Sequence, residues 1–192
     1  MTGRLEGQKI AVLATDGVEE VELTNPVEAL KREGAEVQVV SNKSGTIQAF
    51  RHYDKAGQIP VDTALESADA RDYDGLVLPG GVINPDALRL APQAIDFVRR
   101  FVDENRPIAA ICHGPWTLID AGGVSGKRIT SWPSLKTDLA NAGATWVDEQ
   151  VVVDGNLVTS RKPDDLDAFD AQMVELFAQR VTARPDPATL QG

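Results

Sequence analysis

Apolar positions along the chain switch between two periods, and the switching outlines a fold. Lys9-Ile-Ala-Val-Leu-Ala-Thr15 is a short, almost continuous apolar run closed by Asp16-Gly17, the form of a strand buried on both faces and followed by a turn. From about Glu20, the positions Leu23, Val27 and Leu30 fall at i, i+4 and i+7, and the stretch stops at Gly34 after Lys31 and Arg32. Basic residues suit the negative end of a helix, so a helix is predicted here. Pro26 lies either in its first turn or at a kink, and spacing alone does not decide which. Glu36 to Val40 then reads as a second strand, which completes a βαβ unit and points to an α/β fold. Residues 43–64 mix polar and β-type positions around Gly45 and Gly57, a pattern read as a small hairpin that interrupts the winding. Gly75-Leu-Val-Leu78 repeats the first strand and breaks at Pro79-Gly80-Gly81, and Pro107 to Ile111 repeats it again. Ile95, Val98, Phe101 and Val102 mark a helix over about 92–105, and a further one runs over 116–121 to Gly122-Gly123. Short strands are expected at 128–131, 145–153 and 157–160, with a helix at about 134–142. Leu166, Phe169, Met173, Leu176 and Phe177 line one face of a last helix, with Asp164 or Asp165 in its first turn. The expected organisation is an N-terminal extension over 1–8, one domain over 9–180 and a flexible tail over 181–192.

Composition narrows the classes of function. A chain of 192 residues suits one compact domain. Its 19 Lys and Arg face 29 Asp and Glu, a net charge of −10, the wrong sign for gripping a phosphate backbone or an anionic membrane. One cysteine allows no intrachain disulfide, and one Cys with two His is too few for a zinc finger. No apolar run approaches the ~20 residues of a membrane span, and the first ten residues lack the features of a secretory signal, so a cytoplasmic location is expected. No G-x-G-x-x-G follows a strand and there is no Walker motif, so no nucleotide cofactor is expected, and the scarcity of Cys and His argues for no metal.

The chemistry concentrates at Ala110-Ile111-Cys112-His113-Gly114-Pro115. A residue at the end of a buried strand, with Ala two before it, Gly two after and a helix at once following, has the form of a nucleophile elbow. The turn is so tight that only small residues fit on either side, and Pro115 suits a first helical position. The thiol would stand at a helix N-terminus, which favours thiolate; the competing reading is a buried structural cysteine. A base must come from His113 or His52, because no His follows residue 113, which excludes papain-like and amidotransferase-like arrangements. His52 falls in the hairpin and reads as a surface or turn residue. Of the acids in Asp16-Gly-Val-Glu-Glu-Val-Glu22, Glu20 and Glu22 read as a solvated helix start and Glu19 as the one pointing inward, where burial beside a thiolate would keep it protonated. Asp86 is the other candidate acid, with a helix N-cap as its competing role. The amides of Gly80, Gly81 and His113 could form an oxyanion hole.

These blocks resemble the PfpI endopeptidase-like family, within the class I glutamine amidotransferase-like superfamily that also contains glyoxalase III and deglycase proteins. The resemblance covers roughly residues 9–178. It rests on Ile10-Ala-Val-Leu with Glu19-Glu-Val-Glu-Leu, on Leu78-Pro-Gly-Gly, on Ala110-Ile-Cys-His-Gly-Pro115, on Asp148-Glu-Gln-Val-Val-Val-Asp-Gly155 and on Thr159-Ser-Arg-Lys-Pro-Asp-Asp165. It implies a flavodoxin-like three-layer sandwich, a mostly parallel sheet with helices on both faces. Cys112 is then the nucleophile, His113 its partner and Glu19 the acid that hydrogen-bonds the thiol. A third acid arrives from a neighbouring subunit, at Asp86 here, although the loop Val82-Ile-Asn-Pro-Asp86 is one residue longer than in many relatives. The implied assembly is a homodimer or a hexamer. The implied activity is that of a stress-related cysteine hydrolase of peptidase type; the alternatives are a glyoxalase or deglycase acting on methylglyoxal or its adducts, and a redox sensor or chaperone using Cys112.

Overall fold

A computed structural model describes residues 3–181; the tail expected from 181 begins on the last helical residue, and 182–192 lie outside the described residues. The elements are β1 (Lys9–Leu13), β2 (Val18–Glu19), α1 (Glu20–Arg32), β3 (Glu36–Ser41), β4 (Thr46–Arg51), β5 (Asp54–Pro60), β6 (Thr63–Ala64), β7 (Gly75–Leu78), α2 (Ile83–Arg89), α3 (Pro92–Asp103), β8 (Ile108–Ile111), α4 (Pro115–Asp120), β9 (Arg128–Ile129), α5 (Lys136–Asn141), β10 (Thr145–Trp146), β11 (Val151–Asp154), β12 (Leu157–Ser160) and α6 (Leu166–Val181). Seven strands form the central sheet in the order β11-β12-β8-β7-β1-β3-β6. Every pair in it is parallel except β11 with β12. The fold is therefore the flavodoxin-like α/β sandwich.

Alternating strand residues feed two cores. Ile10, Val12, Val77, Ala109, Ile111 and Val158 pack with Leu23 and Leu30 of α1 and Phe169, Met173 and Phe177 of α6. Ala11, Leu13, Leu76, Leu78, Ile108 and Ala110 face the other way, against Leu88 of α2, Phe97 and Phe101 of α3 and Leu118 of α4. Strands that bury both faces between helices must be apolar throughout, which is why β1, β7 and β8 lack polar alternation.

Several expected bounds move. Pro26 lies inside α1, beyond its first turn. Residues 145–153 do not form one strand, because β10 pairs with β9 in a separate small sheet while β11 pairs with β12 in the main one. The segment after Gly81 is helical rather than loop. The segment before residue 9 is packed onto the body: Leu5 is fully buried, its amide donates to the Glu33 carbonyl, and Gln8 Nε2 donates to the Phe177 carbonyl at 3.0 Å. The β4–β5 hairpin joins β2 in a three-stranded sheet of its own. No helix among the described residues is long and apolar enough to cross a membrane.

Candidate active site

The carboxyl ends of β1, β7 and β8, neighbours in the sheet, converge on one crevice, the edge at which open parallel sheets bind ligands. Cys112 leaves β8 with φ 62°, a left-handed backbone that a non-glycine residue adopts only under constraint. Its amide donates to the Ser160 carbonyl at 3.1 Å and its carbonyl accepts from the Trp132 amide at 3.0 Å. The crowding foreseen from Ala110 and Gly114 is present: a Cβ on Gly114 would stand 2.3 Å from the Leu78 carbonyl oxygen. Cys112 is therefore a strained elbow residue. Its side chain lines a pocket of about 480 Å³ together with Glu19, Glu22, His52, Tyr53, Gly81, Trp116 and Trp132, among others.

His113 Nδ1 lies 3.2 Å from Cys112 Sγ. Adjacent residues on a regular strand or helix would point apart; the elbow brings them together. Burial pushes the imidazole down to about 4, so the ring is neutral around pH 7. Among the described residues no carboxylate reaches it.

The acid against the sulfur is Glu22, not Glu19. Glu22 is fully buried; its Oε2 accepts the Gly80 amide at 2.9 Å, and Oε1 has no hydrogen-bond partner. Burial, with Glu19 nearby, pushes its pKa up to about 8, so the resting group is the neutral acid, in side-chain contact with Cys112. The close approach requires Gly80, where a Cβ would meet Glu22 Oε2 at 2.4 Å and Cys112 Sγ at 3.0 Å. Glu19 borders the same pocket but spends Oε2 on the His52 amide at 2.9 Å. The signal that marks Glu22 is helical phase: residues 19, 22, 23, 26 and 30 form one buried stripe at i, i+3, i+4, i+7 and i+11. The two inward acids are on that stripe, and Glu20, off it, pairs with Arg51 at 2.6 Å.

The thiol is pushed up rather than down, chiefly by burial and then by Glu22, while the Gly81 and His113 amides oppose the rise. The expected helix effect is small because α4 spans only Pro115–Asp120. Of the proposed oxyanion donors, the amides of Gly81 and His113 face the sulfur, whereas that of Gly80 is committed to Glu22. His52, read as a surface residue, lies exposed at the tip of the β4–β5 hairpin and also borders the pocket. Asp86 is exposed on α2 and does not line the pocket of its own chain.

A mostly parallel α/β sandwich that brings a cysteine on a strand-to-helix elbow, an adjacent imidazole and a buried acid to one crevice defines the class of protein. Within it, this chain belongs to the DJ-1/PfpI family, whose pattern matches residues 8–176. It is 43% identical over 170 residues to a Bacillus subtilis protein named "Putative cysteine protease YraA", covering 88% of this chain and 98% of that one. It is 44% identical over 169 residues to a Pyrococcus abyssi protein named as a deglycase, covering 88% and 99%. The crystal structure of Drosophila melanogaster DJ-1beta superposes with a TM-score of 0.80 at 34% identity, over 92% of this chain and 96% of that one.

Proposed function

We propose that this protein is a Cys112-dependent enzyme that adds its thiol to an aldehyde-derived carbon, acting on a small α-oxoaldehyde or its adduct with an amine. The observation that carries this reading is the setting of Cys112 Sγ, between the Nδ1 of a neutral His113 at 3.2 Å and a buried Glu22 held neutral up to about pH 8. His113 can take the thiol proton as sulfur bonds to carbon, and Glu22 can give a proton to the oxygen that becomes negative. With an amine adduct, the S–C bond forms as the C–N bond breaks, and the amine leaves with a proton. The hemithioacetal then shifts a proton from C1 to C2 to give a thioester of a 2-hydroxy acid, and water releases the acid and the thiol. C1 is oxidised as C2 is reduced, so no outside oxidant is consumed.

A peptidase reading is second. It draws support from the pocket, whose volume falls in the range for ligands far larger than a three-carbon aldehyde. Amide cleavage, however, asks the imidazolium formed from the thiol proton to last until a poorly leaving amine departs, and among the described residues no carboxylate stands beside His113 to stabilise that cation. Asp86 from a second copy would alter that balance, which ties this reading to a homodimer or hexamer. Asp86 is exposed on α2 beside exposed Val82, Ile83 and Leu90, a setting that suits contact with another copy.

The test compares wild type and Cys112→Ser, both fully reduced. Release of 2-hydroxy acid from methylglyoxal and from methylglyoxal-treated N-acetyl-lysine is measured beside cleavage of labelled casein. Hydroxy-acid release by wild type and background release by the variant is the expected result. Casein cleavage alone would replace this reading by the peptidase one, and neither activity would end both.

A further inference from the structure

A base that serves a nucleophile is ordinarily oriented through its second nitrogen by a carboxylate, which also stabilises the imidazolium once formed. His113 has no such partner among the described residues; two tryptophans take up its flanks. The Trp132 ring stacks on the imidazole at 24° with centroids 5.9 Å apart. The Trp116 ring meets it edge-on at 63° and 5.1 Å. These are the offset-stacked and T-shaped arrangements that aromatic quadrupoles favour.

Both rings are anchored in their turn. Trp116 lies three residues beyond His113, at the start of α4; its indole N–H donates to Asp138 Oδ2 at 2.9 Å, and the Arg89 guanidinium lies 5.7 Å over its ring. Trp132 donates its amide to the carbonyl of Cys112 itself and accepts at its own carbonyl from Ser131 Oγ at 2.9 Å. Ser131 Oγ in turn accepts the indole N–H of Trp146 at 2.9 Å. The chain has three tryptophans, and all of them take part in this arrangement. Trp132 is nevertheless 38% exposed, a large aromatic surface kept at a pocket mouth rather than in a core.

We propose that Trp132, supported by Trp116, is a positioning residue that holds the His113 imidazole against Cys112 and favours its imidazolium form from within its own chain. The physical basis is that a ring with a π face toward an imidazole restricts its rotation, and that the same face attracts the cation formed when the thiol proton arrives. Tryptophan is the strongest of the aromatic side chains in this respect. The proposal rests on the reading of Cys112 and His113 as the reacting pair.

The test is a double-mutant cycle on the full chain, using Trp132→Leu, His113→Ala and both together. Two rates are read: alkylation of Cys112 by iodoacetamide across pH, and turnover of the methylglyoxal–N-acetyl-lysine adduct. Trp132→Leu should lower kcat roughly ten-fold with KM changed less than about three-fold, and the double variant should be no slower than His113→Ala, because Trp132 acts through that ring. Trp132→Phe, which keeps a flat ring, should recover kcat to within about three-fold of wild type. Additive losses, or a raised KM at unchanged kcat, would overturn the proposal and leave Trp132 as a wall of the pocket. Should Trp132→Leu melt, Trp132→Gln takes its place in the cycle. Independently of any variant at Trp132, the ring protons of His113 in the folded wild type should appear upfield of free imidazole, with His52→Ala assigning the two histidines; unshifted signals also overturn the proposal. If His113→Ala leaves both rates at wild-type values, the Cys112–His113 reading itself falls, a result distinct from additivity.

Discussion

Glu22 is an acid placed where only its neutral form is comfortable, and that has a consequence for stability. Its pKa is about 8 in the folded chain against 4.5 when free. Between those values the folded state holds a proton that the unfolded state has lost, so stability falls as pH rises from about 4.5 to about 8. His113, at about 4 against 6.5, acts in the opposite sense: the unfolded state binds the extra proton, and stability is lost as pH falls through that window. The comparison that isolates the acid is therefore wild type against Glu22→Gln. The variant should gain stability relative to wild type by a few kcal/mol between pH 5 and pH 8, read from urea midpoints at the two pH values. The thiol should respond as well: iodoacetamide alkylation of Cys112 should change its pH dependence in Glu22→Gln and keep it in Glu19→Gln. A profile moved by Glu19→Gln alone would restore Glu19 as the acid at the sulfur.

At the scale of elements, the acid-rich turn between β1 and α1 is a clamp on the β4–β5 hairpin. Asp16 Oδ1 accepts the Gln48 amide at 2.8 Å, Glu19 Oε2 the His52 amide at 2.9 Å and Glu20 Oε1 the Gly57 amide at 3.3 Å. Glu19→Ala should free the hairpin tip, seen as faster hydrogen exchange at the His52 amide, and cost about 1 kcal/mol. The elbow depends on close backbone packing in the same way. Gly114→Ala places a methyl 2.3 Å from the Leu78 carbonyl oxygen and 3.0 Å from that of Ile111, both backbone atoms. A loss of about 2 kcal/mol or more is expected in denaturant unfolding, with a lower Tm. The hairpin and the elbow were both legible in the sequence, from the mixed polar and β-type positions of 43–64 and from the Ala110/Gly114 pair, although the hairpin turns at His52, with φ 55°, and not at Gly45 or Gly57. Helix α2 was not: Val82-Ile-Asn-Pro-Asp86 reads as a loop. What makes it a helix start is Asn84, fully buried, whose Oδ1 accepts the Thr15 amide while Nδ2 donates to the carbonyls of Pro79 and Gly80. Pro79 and Gly80 lie just before Asn84 in the same segment, but Thr15 comes from the end of β1, which no short window contains.

For the whole molecule, the question is whether one chain makes a complete site. We propose that it does not for any step needing a carboxylate at His113, and that Asp86 of a second copy supplies it. Light scattering on the reduced protein should then give a dimer or hexamer, and Asp86→Ala should lower turnover. Mixing Asp86→Ala with Cys112→Ser should restore part of the activity, because a mixed pair holds one intact thiol facing one intact acid. An unchanged rate in Asp86→Ala removes that residue from the mechanism.

The sequence by itself determined the parallel α/β frame, the one available thiol and the adjacent histidine, because strand runs, helix phase and small residues around an elbow are properties of neighbours along the chain. Tertiary structure decided which carboxylate meets the sulfur, that His52 borders the same pocket, and that two tryptophans from α4 and the segment after β9 flank His113. Those outcomes depend on how α1, the hairpin and the loops at the strand ends pack over the sheet. The sequence reading turned Glu19 inward and left Glu22 in solvent; the fold buries both, and the Gly80 amide and the His52 amide, each brought in from elsewhere in the chain, take one each.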